Sequence, residues 1–432
     1  MTATPEQRRP PKVPRPTPVP RVTGPTVRGW ERALAAGGAE ARAVRDEIAA
    51  VLAGGTPLCE HEDVPAGEPS RRIVTFLFED PHATDVLLFA NRLTDESSLS
   101  ECLMRRLPGT NVWHVGFRMR ASWRASYCFL PVRPGQPAPW EVGGDHVRLR
   151  AALDRGVVDP RNPHTCPTQL GREMSVVALD RAPCSPWPVR PDPAAATPRW
   201  ETADGGLRVT VQPVRAPGAA GEREAATVLV LDGQVWLAQG LVAAVRSAVA
   251  DGALRPVTLV LVDSGGRDRR WAELDGTSGF EDRLADRFLP WLAAHHGVSR
   301  DPRRVAVVGQ SLGGLTALLC ALRRPDAVGR AVSQSASLWQ RAPFDAVRAA
   351  LAADDAAGLA DTRIVAEVGE HEWVLTGPHD EFARVLAETP ARLGLRRYDG
   401  GHDWACWRES LVPALVELFS GEGHAAAAEC RA

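Results

Sequence analysis

A serine set between glycines, where an apolar strand turns into a small-residue helix, constrains this chain more than any other feature. Val305-Ala306-Val307-Val308 runs into Gly309-Gln310-Ser311-Leu312-Gly313-Gly314, and residues 315–322 leave as an apolar helical segment. A strand apolar on both faces belongs in a buried parallel sheet, which must also be covered by helices. The G-x-S-x-G spacing demands a sharp turn that exposes the serine hydroxyl. Glycines on its flanks are expected because a Cβ there would collide with the adjoining strand or helix. The following helix aims its first N–H groups at the place where a negative oxygen would develop.

The 432 residues leave room for two domains with extensions. A net charge of -2 without a dense basic stripe speaks against nucleic-acid binding. No apolar run is long enough to span a bilayer. The eight cysteines show no CxxC pair and no metal-ligand spacing, which fits a reduced, intracellular protein. Residues 1–25 carry repeated Pro and Arg without an apolar core, so they read as a disordered tail rather than a secretory signal. The expected localisation is cytoplasmic.

A helical pattern follows over 26–56, ended by Gly54-Gly55. Residues 65–182 then alternate toward a period of two, with strands at 73–78, 86–89, 111–117, 123–130 and 175–179, the rhythm of a β-sandwich. Residues 183–198 read as a proline-rich linker. From 199 to 422, strands near 200–202, 207–211, 226–231, 257–262, 305–308, 363–367 and 393–398 alternate with helices, the last helix at 407–419. Residues 423–432 read as a tail. The fold class expected for 199–422 is an α/β-hydrolase, a mostly parallel sheet flanked by helices, in which G-x-S-x-G is the nucleophile elbow.

A serine nucleophile needs a general base, and the base needs an orienting acid. In this fold the order is Ser, acid, His. His402 stands in Asp399-Gly400-Gly401-His402-Asp403-Trp404, just after the last strand, where two glycines suit a tight loop. For the acid, Glu372 and Glu370 both qualify after the 363–367 strand, and Asp403 is a third candidate. The oxyanion donors expected are the N–H of Leu312 and one from Gly233 or Gln234, in Leu231-Asp232-Gly233-Gln234. Trp236, Trp271, Trp339, Trp404 and Trp407, with Arg269 and Arg270, crowd these loops. They suggest a pocket for an aromatic, anionic substrate, with Arg270, Trp236, Trp339 and Trp404 as the substrate contacts.

Several of these stretches together resemble the enterochelin (enterobactin) esterases, hydrolases of catecholate-siderophore trilactones. They are Leu231-Asp232-Gly233-Gln234-Val235-Trp236, residues 270–274, Gly309-Gln310-Ser311 with Gly313-Gly314, Ser333-Gln334-Ser335 with Ser337 and Trp339, Gly400-Gly401-His402-Asp403, and Cys406-Trp407-Arg408. In the first domain the resemblance rests on Val112-Trp113, Trp123-Arg124, Ser126-Tyr127-Cys128-Phe129 and Asp159-Pro160. It implies Ser311 as nucleophile, His402 as base and Glu372, three residues after Gly369, as acid. It also implies an immunoglobulin-like first domain that helps cover the substrate. Pro378-His379-Asp380 departs from the family, which has an Asn downstream of the acid. The substrate implied is ferric or iron-free enterobactin, with iron arriving only as part of it and no cofactor or resident metal. A serine esterase for another aromatic or acyl ester, or for a different amino-acid trilactone, shares these features. A siderophore carrier that keeps the fold without chemistry is the reading from another class.

Overall fold

The computed structural model describes residues 11, 13–141, 151–192, 197–215, 225–353 and 355–420. Two compact units emerge among the described residues: a β unit of residues 14–182 with 399–405, and an α/β unit of 183–398 with 406–420, to which residues 11 and 13 also belong.

Among the described residues the β unit contains eight strands: β1 (Leu58–Glu62), β2 (Arg71–Glu79), β3 (Asp85–Ala90), β4 (Arg105–Arg106), β5 (Val112–Arg120), β6 (Arg124–Val132), β7 (Thr165–Pro167) and β8 (Glu173–Ala178). They form two four-stranded sheets, ordered β1-β2-β5-β4 and β3-β6-β8-β7. Period-two side-chain alternation explains the packing. On β5, Trp113, Val115, Phe117 and Met119 enter the core shared by the two sheets. Phe76 of one sheet meets Tyr127 of the other at 4.8 Å between ring centroids.

The opposite face of β5 carries Val112, which packs with Leu77 and Leu107 under α1 (Pro25–Ala36) and α2 (Gly38–Gly54), whose Trp30, Ile48 and Leu52 face inward. The helical pattern is therefore two helices. Gly37 and Gly38, at φ 76° and 66°, break it between them.

The expectation of a disordered tail through residue 25 fails over residues 14–24. Because β4 is only two residues long, it leaves β5 open beyond His114, and the incoming segment completes that edge. Val22 N–H donates to Gly116 O (2.9 Å) and Arg118 N–H to Pro20 O (3.0 Å). A Cβ on Gly116 would lie 2.5 Å from Val22 O, so only glycine admits this approach. Residues 1–10, 12 and 421–432 lie outside the described residues.

The α/β unit holds β9 (Glu201–Thr202), β10 (Arg208–Val214), β11 (Ala226–Val230), β12 (Val257–Asp263), β13 (Val305–Gln310), β14 (Arg330–Gln334), β15 (Arg363–Gly369) and β16 (Arg392–Tyr398). The sheet order is β16-β15-β14-β13-β11-β12-β10-β9. Pairing is parallel from β16 to β12, while β10 and β9 run antiparallel. From β11 the chain winds one way to β12 and then the other way through β13 to β16. The carboxyl ends of β11 and β13 therefore flank a topological switch point, where open α/β sheets bind ligands.

β14 was not legible as a strand, because Ser333 and Gln334 interrupt its apolar run; both are fully buried and hydrogen-bonded. The helix at the end begins at Trp404, three residues earlier than its apolar pattern. The stretch read as a linker is anchored where it is described: Ser185 N–H and Arg190 both bond Glu409, and Trp187 bonds Asp251. Among the described residues, Cys59, Cys102, Cys128, Cys166, Cys320 and Cys406 are free thiols. No described helix is long and apolar enough to cross a membrane.

Candidate active site

Ser311 joins β13 to the helix Leu312–Arg323 with φ 58° and ψ -115°, a backbone conformation that side chains seldom adopt. Two neighbours hold it there. Its N–H donates to Gln334 O (3.0 Å), and its own carbonyl accepts from Ser337 N–H (3.0 Å). The Ser337 hydroxyl lies 3.4 Å from Ser311 Oγ. A Cβ on Gly309 would sit 2.2 Å from the Gly313 carbonyl, so the first glycine is obligatory. The second is not, since a Cβ on Gly313 would meet only ordinary contacts, the nearest Leu231 Cβ at 3.5 Å. Leu312 N–H is in the first helical turn, where no acceptor exists four residues back.

The loop after β11 carries a second left-handed residue, Asp232 at φ 54°. Gly233 then starts the helix Gly233–Ala238 against β12, so close that a Cβ would lie 2.5 Å from Leu261 C and Val262 N. Arg270 sets this loop against the elbow. Its Nε and Nη2 donate to the Asp232 carboxylate at 2.7–2.9 Å, and Nη2 also donates to Gln310 O (3.0 Å). Ser264 Oγ bonds the same carboxylate, and Gln234 Oε1 accepts from Ser264 N–H (3.2 Å). Arg270 is 8% exposed and Trp236 is 0% exposed, with the indole donating to Gln310 Oε1 (3.0 Å). Both were expected as substrate contacts; here both are buried, Arg270 Nε and Nη2 bonding Asp232 and Gln310 and the Trp236 indole bonding Gln310.

A buried polar ladder runs beneath the strand ends. Gln310 Nε2 donates to Gln334 Oε1 (2.9 Å), and Gln334 Nε2 donates to Glu367 Oε2 (2.8 Å), which also accepts from Ser410 Oγ (2.5 Å). Beside it Ser335, at φ 49°, bonds the Tyr398 hydroxyl (2.9 Å), and the Trp407 indole donates to Ser335 Oγ (2.9 Å). Burial, with the Glu372 carboxylate adding to it, pushes the Tyr398 phenol well above its usual pKa. Trp407 thus belongs to this network. Asp232, Ser337, Gln334 and Tyr398 went unread as site residues; the available signal was polar side chains at the ends of apolar strands.

Of the three acid candidates, Glu372 is 1% exposed in the loop after β15; its N–H donates to Gly369 O (3.0 Å) and its carboxylate lies 3.4 Å from Gly369 N. Glu370 is exposed. Both oxygens of Asp403 accept backbone N–H groups, from Ser126 (2.5 Å) and Ala405 (3.0 Å). His379, in the position of departure from the family, is buried, and that burial lowers its pKa. His402 is half-buried, four residues beyond β16, in the segment that belongs to the β unit. Trp339 is half-buried beside Trp271, centroids 6.4 Å apart. Trp404, also half-buried, packs against Cys166, Val176 and Ala405.

Comparison with known proteins places both units. Residues 206–418 match the family model Esterase, and residues 73–188 match the one described as enterochelin esterase, N-terminal. The chain is 30% identical to the iron(III) enterobactin esterase of Escherichia coli O6:H1, over 80% of this chain and 91% of that protein. It is 29% identical to the iron(III) enterobactin esterase of Dickeya dadantii, over 86% and 92%. Among solved structures, the enterobactin esterase of Shigella flexneri in the presence of enterobactin matches with a TM-score of 0.68 at 26% identity, covering 84% of this chain and 96% of that one.

Proposed function

The chain belongs to the enterochelin (enterobactin) esterase family, and on that premise we propose that it is a cytoplasmic serine esterase opening the trilactone of enterobactin-type catecholate siderophores. The observation that carries the reading is the Ser311 elbow: a strained serine, beside a helix N-terminus, at the switch point of the sheet.

In this reading Ser311 Oγ attacks a trilactone ester carbonyl while His402 takes its proton. The N–H groups of Leu312 and of Gly233 or Gln234 hold the resulting oxyanion. Collapse expels a seryl hydroxyl of the siderophore, which receives the proton from His402. Water then attacks the acyl-enzyme, again with His402 as base, and releases the acid. Glu372 orients the imidazole: it is the buried candidate, whereas Glu370 is exposed and Asp403 is occupied. Trp339 and Trp404, the two expected contacts that keep partial exposure, are the surfaces offered to catechol rings. Repetition yields linear trimer, dimer and monomer. Dividing the scaffold removes the multivalency that holds iron, which enters only as part of the substrate. The β unit, with its two packed antiparallel sheets, fits the immunoglobulin-like first domain implied by the family.

Labelling with a fluorophosphonate tests the nucleophile. Wild type should be modified at Ser311 and lose activity in step, while Ser311→Ala resists the label. Ligand binding without labelling would mean a carrier.

A further inference from the structure

The segment that holds His402 leaves the α/β unit at Tyr398 and re-enters it at Cys406, yet its contacts group it with the β unit. Those contacts are specific at every turn of the segment. At its start, Asp399 O accepts Arg124 N–H (3.0 Å) and its carboxylate accepts the Ser122 hydroxyl (2.8 Å). At its end, Asp403 accepts Ser126 N–H (2.5 Å), and Ala405 is buried with Cys166 and Val176. Between them the His402 carbonyl accepts the side-chain amide of Asn91 (2.8 Å). Gly401 presses so tightly on the same turn that a Cβ would lie 2.6 Å from Arg92 Cβ and from Asn91 Oδ1.

Asn91 itself is immobilised. Its N–H donates to Ser126 O (2.9 Å), and the turn closes through Leu93 and Thr94 N–H to Ala90 O (3.1 and 2.9 Å). Thr94 Oγ1 donates to Leu88 O (3.0 Å). Arg92 takes a left-handed conformation, φ 56°, that this surrounding structure must sustain. From the far side, the Arg15 guanidinium donates to Arg92 O (2.5 Å), and Arg15 N–H donates to Asp95 (2.9 Å). The proline-rich segment before α1 thus braces the turn that touches the histidine.

We propose that the Asn91–Thr94 turn is a positioning element for the general base, with Asn91 as the positioning residue that fixes the peptide of His402. This rests on the reading of His402 as base. It assigns the placement of the base to the β unit, which holds both Asn91 and His402. A histidine must hold its ring within a fraction of an ångström of the productive pose, and a displacement near 1 Å costs roughly 100-fold in rate. A carbonyl pinned at 2.8 Å, next to a glycine without clearance, supplies that restraint.

The test compares full-length wild type, Asn91→Ala, Asn91→Asp and His402→Ala on iron-free enterobactin and on p-nitrophenyl acetate, with thermal melting as a check of folding. Asn91→Asp keeps the size and removes the donor, so it decides the matter where the alanine variant does not fold. Both Asn91 variants are expected to lose roughly 10- to 100-fold in kcat, by the same factor on both substrates, with KM unchanged. A loss confined to enterobactin would assign Asn91 to substrate binding and overturn the proposal. So would wild-type kcat on both substrates while His402→Ala is inactive. An active His402→Ala variant would remove the base assignment itself, and the proposal with it.

Discussion

Ser311 and Asp232 are both left-handed non-glycine residues, and Arg270 joins them by spanning the Asp232 carboxylate and Gln310 O. Breaking a buried pair of this kind leaves an uncompensated charge and costs about 3–5 kcal/mol. Such a clamp keeps the strain at the elbow from relaxing. The acid is the residue-scale assignment most open to measurement. Glu372→Gln should lower kcat by roughly 10³–10⁴-fold, the scale of removing an orienting carboxylate from a triad. Glu370→Gln should leave turnover near wild type, because that side chain faces solvent. Steady-state kinetics of the two variants decides between them, and the reverse ranking would move the acid. At this scale the sequence exposed the elbow and the glycine-flanked histidine. It hid the partners of both, because Asp232 lies 38 residues from Arg270 and Asn91 lies 311 residues from His402.

Among the elements, long strands with one unbroken apolar character were readable, as β12 and β13 are. β4 and β14 were not: β4 has only two residues, and in β14 the buried, hydrogen-bonded Ser333 and Gln334 interrupt the apolar run. The proline-rich run was misread over residues 14–24 because an extended segment without internal hydrogen bonds looks the same whether free or docked on an open strand edge. The docked helices α1 and α2 bring a pH dependence of their own. His114 lies under them, beside Glu31 at 3.4 Å. Burial, reinforced by Arg105 and Arg21, pulls its pKa down from 6.5 to about 4. Between these values the unfolded chain binds the proton and the folded chain does not. Stability from this site is therefore whole above about pH 6.5 and is lost as pH falls toward 4. Urea unfolding of the β unit, followed from pH 7 to 4.5, should show a falling midpoint that His114→Phe flattens. An identical slope in the variant would assign the loss to other groups.

Across the whole chain, the β unit is discontinuous in sequence: it takes residues 399–405, the segment after β16 together with the first two residues of the last helix. The family matches cover both units, so the function proposed concerns the two together rather than an esterase domain with an appendage. The most direct test of that function is a mass-resolved time course on ferric and iron-free enterobactin, with Ser311→Ala as control. Successive linear trimer, dimer and monomer from the wild type, and none from the variant, is the result predicted here. An enzyme that labels at Ser311 yet leaves both forms of enterobactin intact would contradict the siderophore assignment and mark a serine esterase for another substrate.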